Sequence, residues 1–134
     1  MDPVGMGAVA VGLWRRRHDG RVAAVSAASE DRHMRELLER LGVEPADATL
    51  LQFSTAFCAP CRAMRRVSAE VADLLPGVRH VEVDAESHLA EVRELGIWRT
   101  PTLLILDADG REVRRATGVP TKPHLIAALA EILP

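Results

Sequence analysis

The chain has 134 residues, 48% of them apolar, which is enough for one domain with a hydrophobic core. Its 17 basic and 19 acidic side chains leave a formal net charge of −2, which gives no reason to expect nucleic acid or an acidic surface as a partner. Two tryptophans and two phenylalanines are too few for a base-stacking platform, and two cysteines are too few for the disulfide framework of a small secreted domain.

An apolar segment rich in glycine and alanine covers residues 4–14, directly before the basic run Arg15-Arg16-Arg17. It is about half as long as the ~20 residues that a membrane span needs, and Asp2 precedes it where a signal peptide would be positive. Residues 1–20 are therefore interpreted as a tail, either a frayed terminus or the truncated end of a membrane anchor. Both interpretations place residues 21–134 in the cytoplasm, in the second case on the cytoplasmic face of a membrane, because the basic run would stay on that side.

Hydrophobic periodicity and turn residues predict secondary structure along residues 21–134 in the order βαβαβαββα. The predicted strands are residues 21–26, 49–54, 78–84, 102–106 and 111–117. The predicted helices are residues 30–41, a helix from the cysteine pair to about residue 75, residues 88–95, and a last helix after Thr121. A βαβ unit followed by a ββα unit fits this order, which predicts an α/β fold with a mixed central sheet of four to five strands flanked by helices.

The helix that ends near residue 75 is amphipathic, with arginines and acidic residues on its outer face. Its predicted inner stripe consists of Cys61, Met64, Val67, Val71 and either Leu74 or Leu75. This spacing is that of a helix which packs one face against a sheet.

The two cysteines, Cys58 and Cys61, lie where the strand at 49–54 gives way to this helix. Their C-x-x-C spacing lets the sulfurs close a small disulfide ring, with Cys58 in the turn and Cys61 one helical turn further on. Unpaired N–H groups and the helix dipole favour a thiolate there, so the pKa of Cys58 is expected below the ~8.5 of a free thiol. A thiolate is the nucleophile of disulfide exchange, and Pro60 suits the first helical turn because its missing N–H would have no partner.

Two other interpretations of the pair are half of a zinc site and two buried structural thiols. A structural zinc site needs four ligands, and the histidines at positions 18, 33, 80, 88 and 124 have no paired spacing with the cysteines. The segment Thr100-Pro101-Thr102, just before another apolar strand, adds a context that favours redox chemistry. No metal site is therefore expected.

At this point the chain resembles the thioredoxin family, from about residue 48 to residue 133. The matching segments are residues 57–62 (Phe-Cys-Ala-Pro-Cys-Arg), 81–84, 96–102 and Gly118. The resemblance implies a thioredoxin-like fold and a monomeric thiol–disulfide oxidoreductase with no cofactor beyond the redox-active disulfide Cys58–Cys61. It also implies protein disulfides as substrates and an upstream disulfide reductase as the second partner.

The resemblance further implies that Pro101 is the family's cis-proline, packed beside the C-x-x-C motif. The backbone of Thr100 would then pair with the substrate strand, a form of β-augmentation that accepts many sequences. The apolar docking rim implied in the same way consists of Phe57, Trp98, Thr100, Thr117 and Gly118. An ordinary trans proline at position 101 and a packing role for Trp98 are the alternatives.

Three positions depart from the family pattern. Gln52 aligns with a buried carboxylate that helps to deprotonate the second cysteine, and glutamine cannot take a proton at neutral pH. His80 aligns with the usual lysine and, because histidine titrates near neutrality, could replace the missing base through a water, unless it is a packed strand residue. Ser54 or Thr55 replaces a tryptophan, so we expect the floor of the site to be less tightly filled.

The first hypothesis for function is an enzyme that cycles Cys58 and Cys61 between dithiol and disulfide, in the reducing direction if it is cytoplasmic. The second is a binding module that keeps the fold and holds a partner on a redox-switchable surface. A third is a metallochaperone, which would carry stoichiometric metal. The intact cysteine pair favours the enzyme, whereas Gln52 leaves room for the binding module.

Overall fold

The computed structural model of the protein describes residues 27–134. The chain divides into two compact units, Met1–His33, of which residues 27–33 are described and helical, and Met34–Pro134, which contains the sheet. The tail of residues 1–20 and the strand predicted at residues 21–26 lie outside the described residues. Within residues 27–134 no helix is long and apolar enough to cross a membrane.

The described elements follow the predicted order, with small shifts at their ends. The helices are α1 (residues 27–40), α2 (Ala59–Leu74), α3 (Leu89–Glu94) and α4 (Lys122–Ala130), and a short 3-10 helix spans Ala85–Ser87. The strands are β1 (Ala48–Ser54), β2 (Val78–Asp84), β3 (Thr102–Leu106) and β4 (Glu112–Thr117). The side chain of Thr121 caps α4 by accepting a hydrogen bond from the His124 N–H, which is why this helix begins where the sequence predicts.

The strands of the described chain form one four-stranded sheet in the order β2-β1-β3-β4. β1 pairs with β2 in parallel across the α2 crossover, and it pairs with β3 antiparallel. β3 and β4 form an antiparallel hairpin before α4. The predicted α/β architecture, with a mixed sheet built from a βαβ unit and a ββα unit, is therefore confirmed.

Both faces of the sheet are covered, so all seven residues of the central strand β1 are buried. Because side chains alternate along a strand, Leu51 and Phe53 pack into a cluster with Leu38 of α1. Leu50 packs on the other face with Met64 of α2. Gln52 follows Leu50 on that second face, and this alternation places its polar side chain under α2, where the cysteines lie.

The inner stripe of α2 follows the predicted spacing, and the structure decides between the two leucines and adds one buried residue. Leu74 is 56% exposed, whereas Leu75 packs against the core cluster below the helix. The helix ends at Leu74, and the extended backbone of Leu75 turns its side chain back toward the sheet, which decides between the two predicted leucines. Ser68 is fully buried on the same stripe, a position that hydrophobic spacing does not reveal because its side chain is polar.

Candidate active site

The cysteine pair lies at the N-terminus of α2 and is closed as a disulfide, with a Cα–Cα distance of 5.1 Å. Cys58 is the N-cap residue, and its Sγ accepts a hydrogen bond from the Cys61 N–H at 3.1 Å. Cys58 is partly exposed, whereas Cys61 is only 1% exposed. Pro60 stands in the first turn of the helix, as expected. One sulfur is therefore accessible to another molecule, and the other lies behind it.

The turn before Cys58 presents an aromatic ring to solvent. Phe57 has a positive φ of 58°, which is uncommon for a residue with a side chain, and its exposure is 101%. A conformation of this kind costs on the order of 1–3 kcal/mol and persists only where surrounding structure fixes it. The apolar ring is thus held outward directly beside the accessible cysteine.

The loop that precedes β3 meets this turn from the other side. The Thr100–Pro101 bond is cis, as the resemblance implies. The Thr100 and Thr55 hydroxyl oxygens lie 2.9 Å apart in a hydrogen bond, which joins the loop to the segment after β1. Because Phe53 pairs with Thr102, β1 ends and β3 begins at the same edge of the sheet, and this register brings Pro101 to the cysteine end of the molecule.

The remaining residues of the expected docking rim lie around this loop. Trp98 is 92% exposed, so the packing alternative does not describe it. Thr117 pairs with Thr102 across the β3–β4 hairpin, and the Gly118 N–H donates to the Pro101 carbonyl at 3.1 Å. The structure therefore gathers the rim residues predicted from sequence at one edge of the sheet.

Gln52 is fully buried beneath α2, where its amide nitrogen donates to the Cys61 carbonyl at 2.8 Å. The same nitrogen lies 2.9 Å from the Ser54 Oγ and 3.2 Å from the Glu82 Oε2. Carbonyl and carboxylate oxygens only accept hydrogen bonds, so these contacts fix which end of the amide faces α2. Gln52 thus contacts the backbone of the second cysteine, at the position that the resemblance implies.

His80 is also brought into this cluster, on the far side of Gln52. Its Nε2 lies 2.9 Å from the Gln52 Oε1, and an amide oxygen can only accept, so the Nε2 carries the proton and donates. The basic lone pair of the neutral ring is then on Nδ1, turned away from this contact. Gln52 stands between His80 and the Cys61 backbone.

Glu82 completes the cluster and is not among the site residues predicted from the sequence. It pairs with Gln52 across the β1–β2 register and accepts from the Ser54 hydroxyl at 2.9 Å. Its other oxygen binds the Arg65 guanidinium at 2.7 Å. His80 and Glu82 are two residues apart on one strand, so their side chains share a face, and this spacing is visible in the sequence. Only the pairing of β1 with β2 shows that this face meets Gln52.

The charges of the cluster are set by burial and by Arg65. Burial lowers the pKa of His80 below its ordinary value, so the ring is neutral at pH 7. Burial opposes ionisation of Glu82, but hydrogen bonds from Arg65 and Ser54, together with the Arg65 charge, lower its pKa overall. At neutral pH the cluster therefore holds a carboxylate, a guanidinium and an uncharged imidazole.

These shifts predict that the free energy of unfolding falls as the pH is lowered. Both pKa values are lower in the folded chain, so the unfolded chain binds protons first, and stability present at pH 7 is lost on acidification. The loss begins below the ordinary pKa of 6.5 for His80 and continues below that of 4.5 for Glu82. Urea titrations between pH 7.5 and pH 4 measure it. His80→Gln should remove the first part of the loss, and an unchanged pH profile in that variant would contradict the assignment.

No group of three or more histidine, cysteine, aspartate or glutamate side chains that could hold a metal ion occurs within residues 27–134. The polar side chains at the site are instead hydrogen-bonded to one another.

Comparison with known proteins gives a family model, described as thioredoxin, that matches residues 26–131. The thioredoxin of Chlamydia trachomatis is 33% identical over 82 residues, which is 61% of this chain and 79% of the relative. The thioredoxin of Alicyclobacillus acidocaldarius is 32% identical over 85 residues, 63% of this chain and 80% of the relative.

Among solved structures, a mutant thioredoxin from Halobacterium salinarum superposes with a TM-score of 0.60, covering 66% of this chain and 76% of that one. Its sequence identity of 23% supports the fold alone. The family model, by contrast, spans most of the chain and includes both cysteines. This protein belongs to the thioredoxin family and is a thiol–disulfide oxidoreductase.

Proposed function

We propose that the protein reduces disulfide bonds in other proteins, with Cys58 as the nucleophile and Cys61 as the resolving thiol. The observation that carries this proposal is the partly exposed Cys58 at the N-terminus of α2, with the buried Cys61 disulfide-bonded behind it. A negative charge on the Cys58 sulfur would face the Cys61 N–H and the positive end of the helix. The Cys61 sulfur is withheld from large substrates until Cys58 has reacted.

The reaction begins with the reduced protein. The Cys58 thiolate attacks one sulfur of a substrate disulfide, forming a mixed disulfide and releasing the other substrate sulfur as a thiolate, which takes up a proton. Cys61 then loses its proton and attacks the Cys58 sulfur, which closes the Cys58–Cys61 disulfide and releases the second substrate thiol. Two electrons pass from the dithiol to the substrate, and an upstream disulfide reductase must return them.

Substrate docking is proposed for the rim around Pro101. The exposed rings of Phe57 and Trp98 offer apolar area beside Cys58, and the loop at Thr100 precedes a strand, so an extended substrate segment could add to it by backbone hydrogen bonds. Thr117 and Gly118 border the same loop. Backbone pairing explains why such a site would accept many substrate sequences.

The second candidate function is a redox-switchable binding module with little turnover. It is favoured by one observation: the residue under Cys61 is the neutral Gln52, which cannot accept the proton that Cys61 must lose. Such a module would bind a partner differently in its dithiol and disulfide states without reducing it repeatedly.

Turnover in an insulin-reduction assay, together with the reduction potential measured against glutathione, separates the two functions. We expect repeated turnover with dithiothreitol as the electron donor, and a potential below that of the glutathione pool. A titration of the reduced protein with insulin and no added donor is the control. A binding module would reduce at most one disulfide per protein molecule, whether or not the donor is present. A single turnover would reject the reductase, and a potential well above that of glutathione would reverse the proposed electron flow.

The expected location is the cytoplasm, where the glutathione and reductase systems favour the reducing direction. A monomer is proposed, since one Cys58–Cys61 pair is sufficient for the reaction.

Attachment to the cytoplasmic face of a membrane through residues 4–14 also stays a prediction, supported by the apolar sequence and the basic run after it. Alkaline extraction of isolated membranes would test it, since an anchored protein stays with the lipid.

A further inference from the structure

A carboxylate on β2 is linked to the second cysteine through the Gln52 amide. The Glu82 Oε2 is 3.2 Å from the Gln52 amide nitrogen, and that nitrogen donates to the Cys61 carbonyl at 2.8 Å. Glu82 is therefore two hydrogen bonds away from the Cys61 backbone. The Ser54 hydroxyl donates to the same oxygen, so the carboxylate has a fixed position under α2.

The Arg65 guanidinium binds the opposite oxygen of Glu82, at 2.7 Å. The Arg65 side chain is 49% exposed and that of Glu82 is 28% exposed, so the guanidinium lies on the outer side of the pair. The carboxylate thus stands between Arg65 and the Gln52 amide. Of the two charged groups, only the Glu82 carboxylate contacts Gln52, the side chain that donates to the Cys61 carbonyl.

Within residues 27–134, the strands nearest to Cys61 carry few other ionisable side chains. β1 and β3 carry no ionisable side chain, and the neighbouring thiol is Cys58. β2 contributes His80, which is neutral at pH 7, together with Glu82 and Asp84, while Arg79 pairs with Glu44. Other charged residues close to these segments along the chain are Arg62, Arg65 and Arg66 of α2, Glu86 of the 3-10 helix and Arg99 before β3.

A polar cleft of about 370 Å³ opens beside this cluster, lined among others by Ser54, Arg65 and Glu82. Several water molecules would fit, since each occupies about 30 Å³ in the liquid. Water on one side of the carboxylate raises the effective dielectric constant, so its influence on a neighbouring thiol should be moderate. A small serine at position 54 leaves this cleft open to Glu82.

We propose that Glu82 is a positioning residue that keeps Cys61 in its thiol form while Cys58 attacks the substrate, and that it disfavours the Cys61 thiolate at every stage of the reaction. It acts through its own negative charge and through the Gln52 amide that it orients, and Arg65 limits the strength of the effect. This inference deepens the proposed function and rests on the roles given there to Cys58 and Cys61. A nearby like charge disfavours a second thiolate, so nucleophilic attack on the substrate is left to Cys58.

The inference is tested by a pH titration of the Cys61 thiol in a Cys58→Ser background, where Cys61 is the only thiol. The ultraviolet absorbance of the thiolate gives the titration midpoint. Glu82→Gln should lower the midpoint by roughly 0.5–1 pH unit, because it removes a negative charge and leaves Arg65 unpaired. Arg65→Gln should raise it, because the carboxylate then acts without compensation. Glu82→Asp, which keeps the charge, should restore the midpoint to within about 0.3 unit, and the exposed Arg66→Gln is the matched control for net charge.

A merely structural role predicts a different pattern, since loss of either partner would disturb the cluster in the same way. Midpoints that move in the same direction in Glu82→Gln and Arg65→Gln, or that move no further than in Arg66→Gln, would overturn the inference. If Glu82→Gln failed to fold, the Cys61 midpoint in Arg65→Gln would decide alone: a rise beyond that in Arg66→Gln would support the inference, and no such rise would overturn it. The titration needs no substrate, so an inactive wild-type protein with these opposite shifts would reject the proposed function and leave the role of Glu82 standing.

In the protein with both cysteines, the rate of resolution of a mixed disulfide gives the second readout. At pH 6 we expect Glu82→Gln to resolve about two- to fourfold faster, because the gain in Cys61 thiolate is partly offset by the lower nucleophilicity of a less basic sulfur. Arg65→Gln should be slower than the wild type at the same pH. Rates that do not follow the midpoints in this order would overturn the inference.

Discussion

Cys58→Ser is expected to lose disulfide reduction by roughly three orders of magnitude or more, because the accessible nucleophile is removed and the buried Cys61 cannot replace it. Cys61→Ser should still attack a substrate disulfide but should stop as a mixed disulfide, since the thiol that resolves it is absent. Insulin reduction measures the first effect. Non-reducing electrophoresis and mass spectrometry of the adduct measure the second.

The two serine variants control for each other, because each leaves one cysteine and prevents the internal disulfide. A covalent adduct that forms with Cys61→Ser, and not with Cys58→Ser, assigns the nucleophile. Substantial activity in Cys58→Ser, or an adduct on Cys61, would show that the assignment is reversed. The alternative function as a binding module predicts the same adduct but no turnover in the wild-type protein.

Gln52→Asp is expected to have the largest effect among substitutions beneath the helix. The introduced carboxylate would be fully buried and would face two groups that only accept hydrogen bonds, the Cys61 carbonyl and Glu82. Losing both donated bonds and burying a second acidic group should lower the free energy of unfolding by about 2–4 kcal/mol at pH 7. Burial and Glu82 raise the pKa of such a group, so the loss should shrink toward acidic pH, where the protonated form can donate.

The same raised pKa makes the introduced group a better base near neutrality, so Gln52→Asp should resolve the mixed disulfide faster than the wild type does. His80→Ala should slow the wild-type protein more than it slows Gln52→Asp, because His80 holds the Gln52 amide through the Oε1 contact. Stopped-flow rates for the four combinations form a double-mutant cycle. Strict additivity would mean that His80 acts independently of Gln52, and Gln52→Glu, which keeps the side-chain length, controls for the shorter aspartate.

The sequence by itself determined the elements and the cysteine pair. The strand predicted at residues 78–84 has the bounds of β2, and the predicted strand at 49–54 differs from β1 by one residue. These predictions succeed because hydrophobic periodicity, capping residues and turn residues act over a few positions along the chain. The position of Cys58 at a helix start follows from the same local signals, and with it the redox chemistry. The cis peptide at Pro101 was expected from the resemblance alone.

Only the tertiary structure decided which distant side chains meet. Glu82 lies 30 positions from Gln52 along the chain and contacts it because β1 and β2 pair in parallel in one particular register. A shift of that register by one residue would turn Glu82 to the opposite face, and no local pattern specifies it. The choice of Leu75 over Leu74 likewise depends on where α2 stops against the sheet. Chemistry that is local in sequence could therefore be predicted. The link from the Glu82 charge through Gln52 to Cys61 depends on how the strands align and could not be predicted.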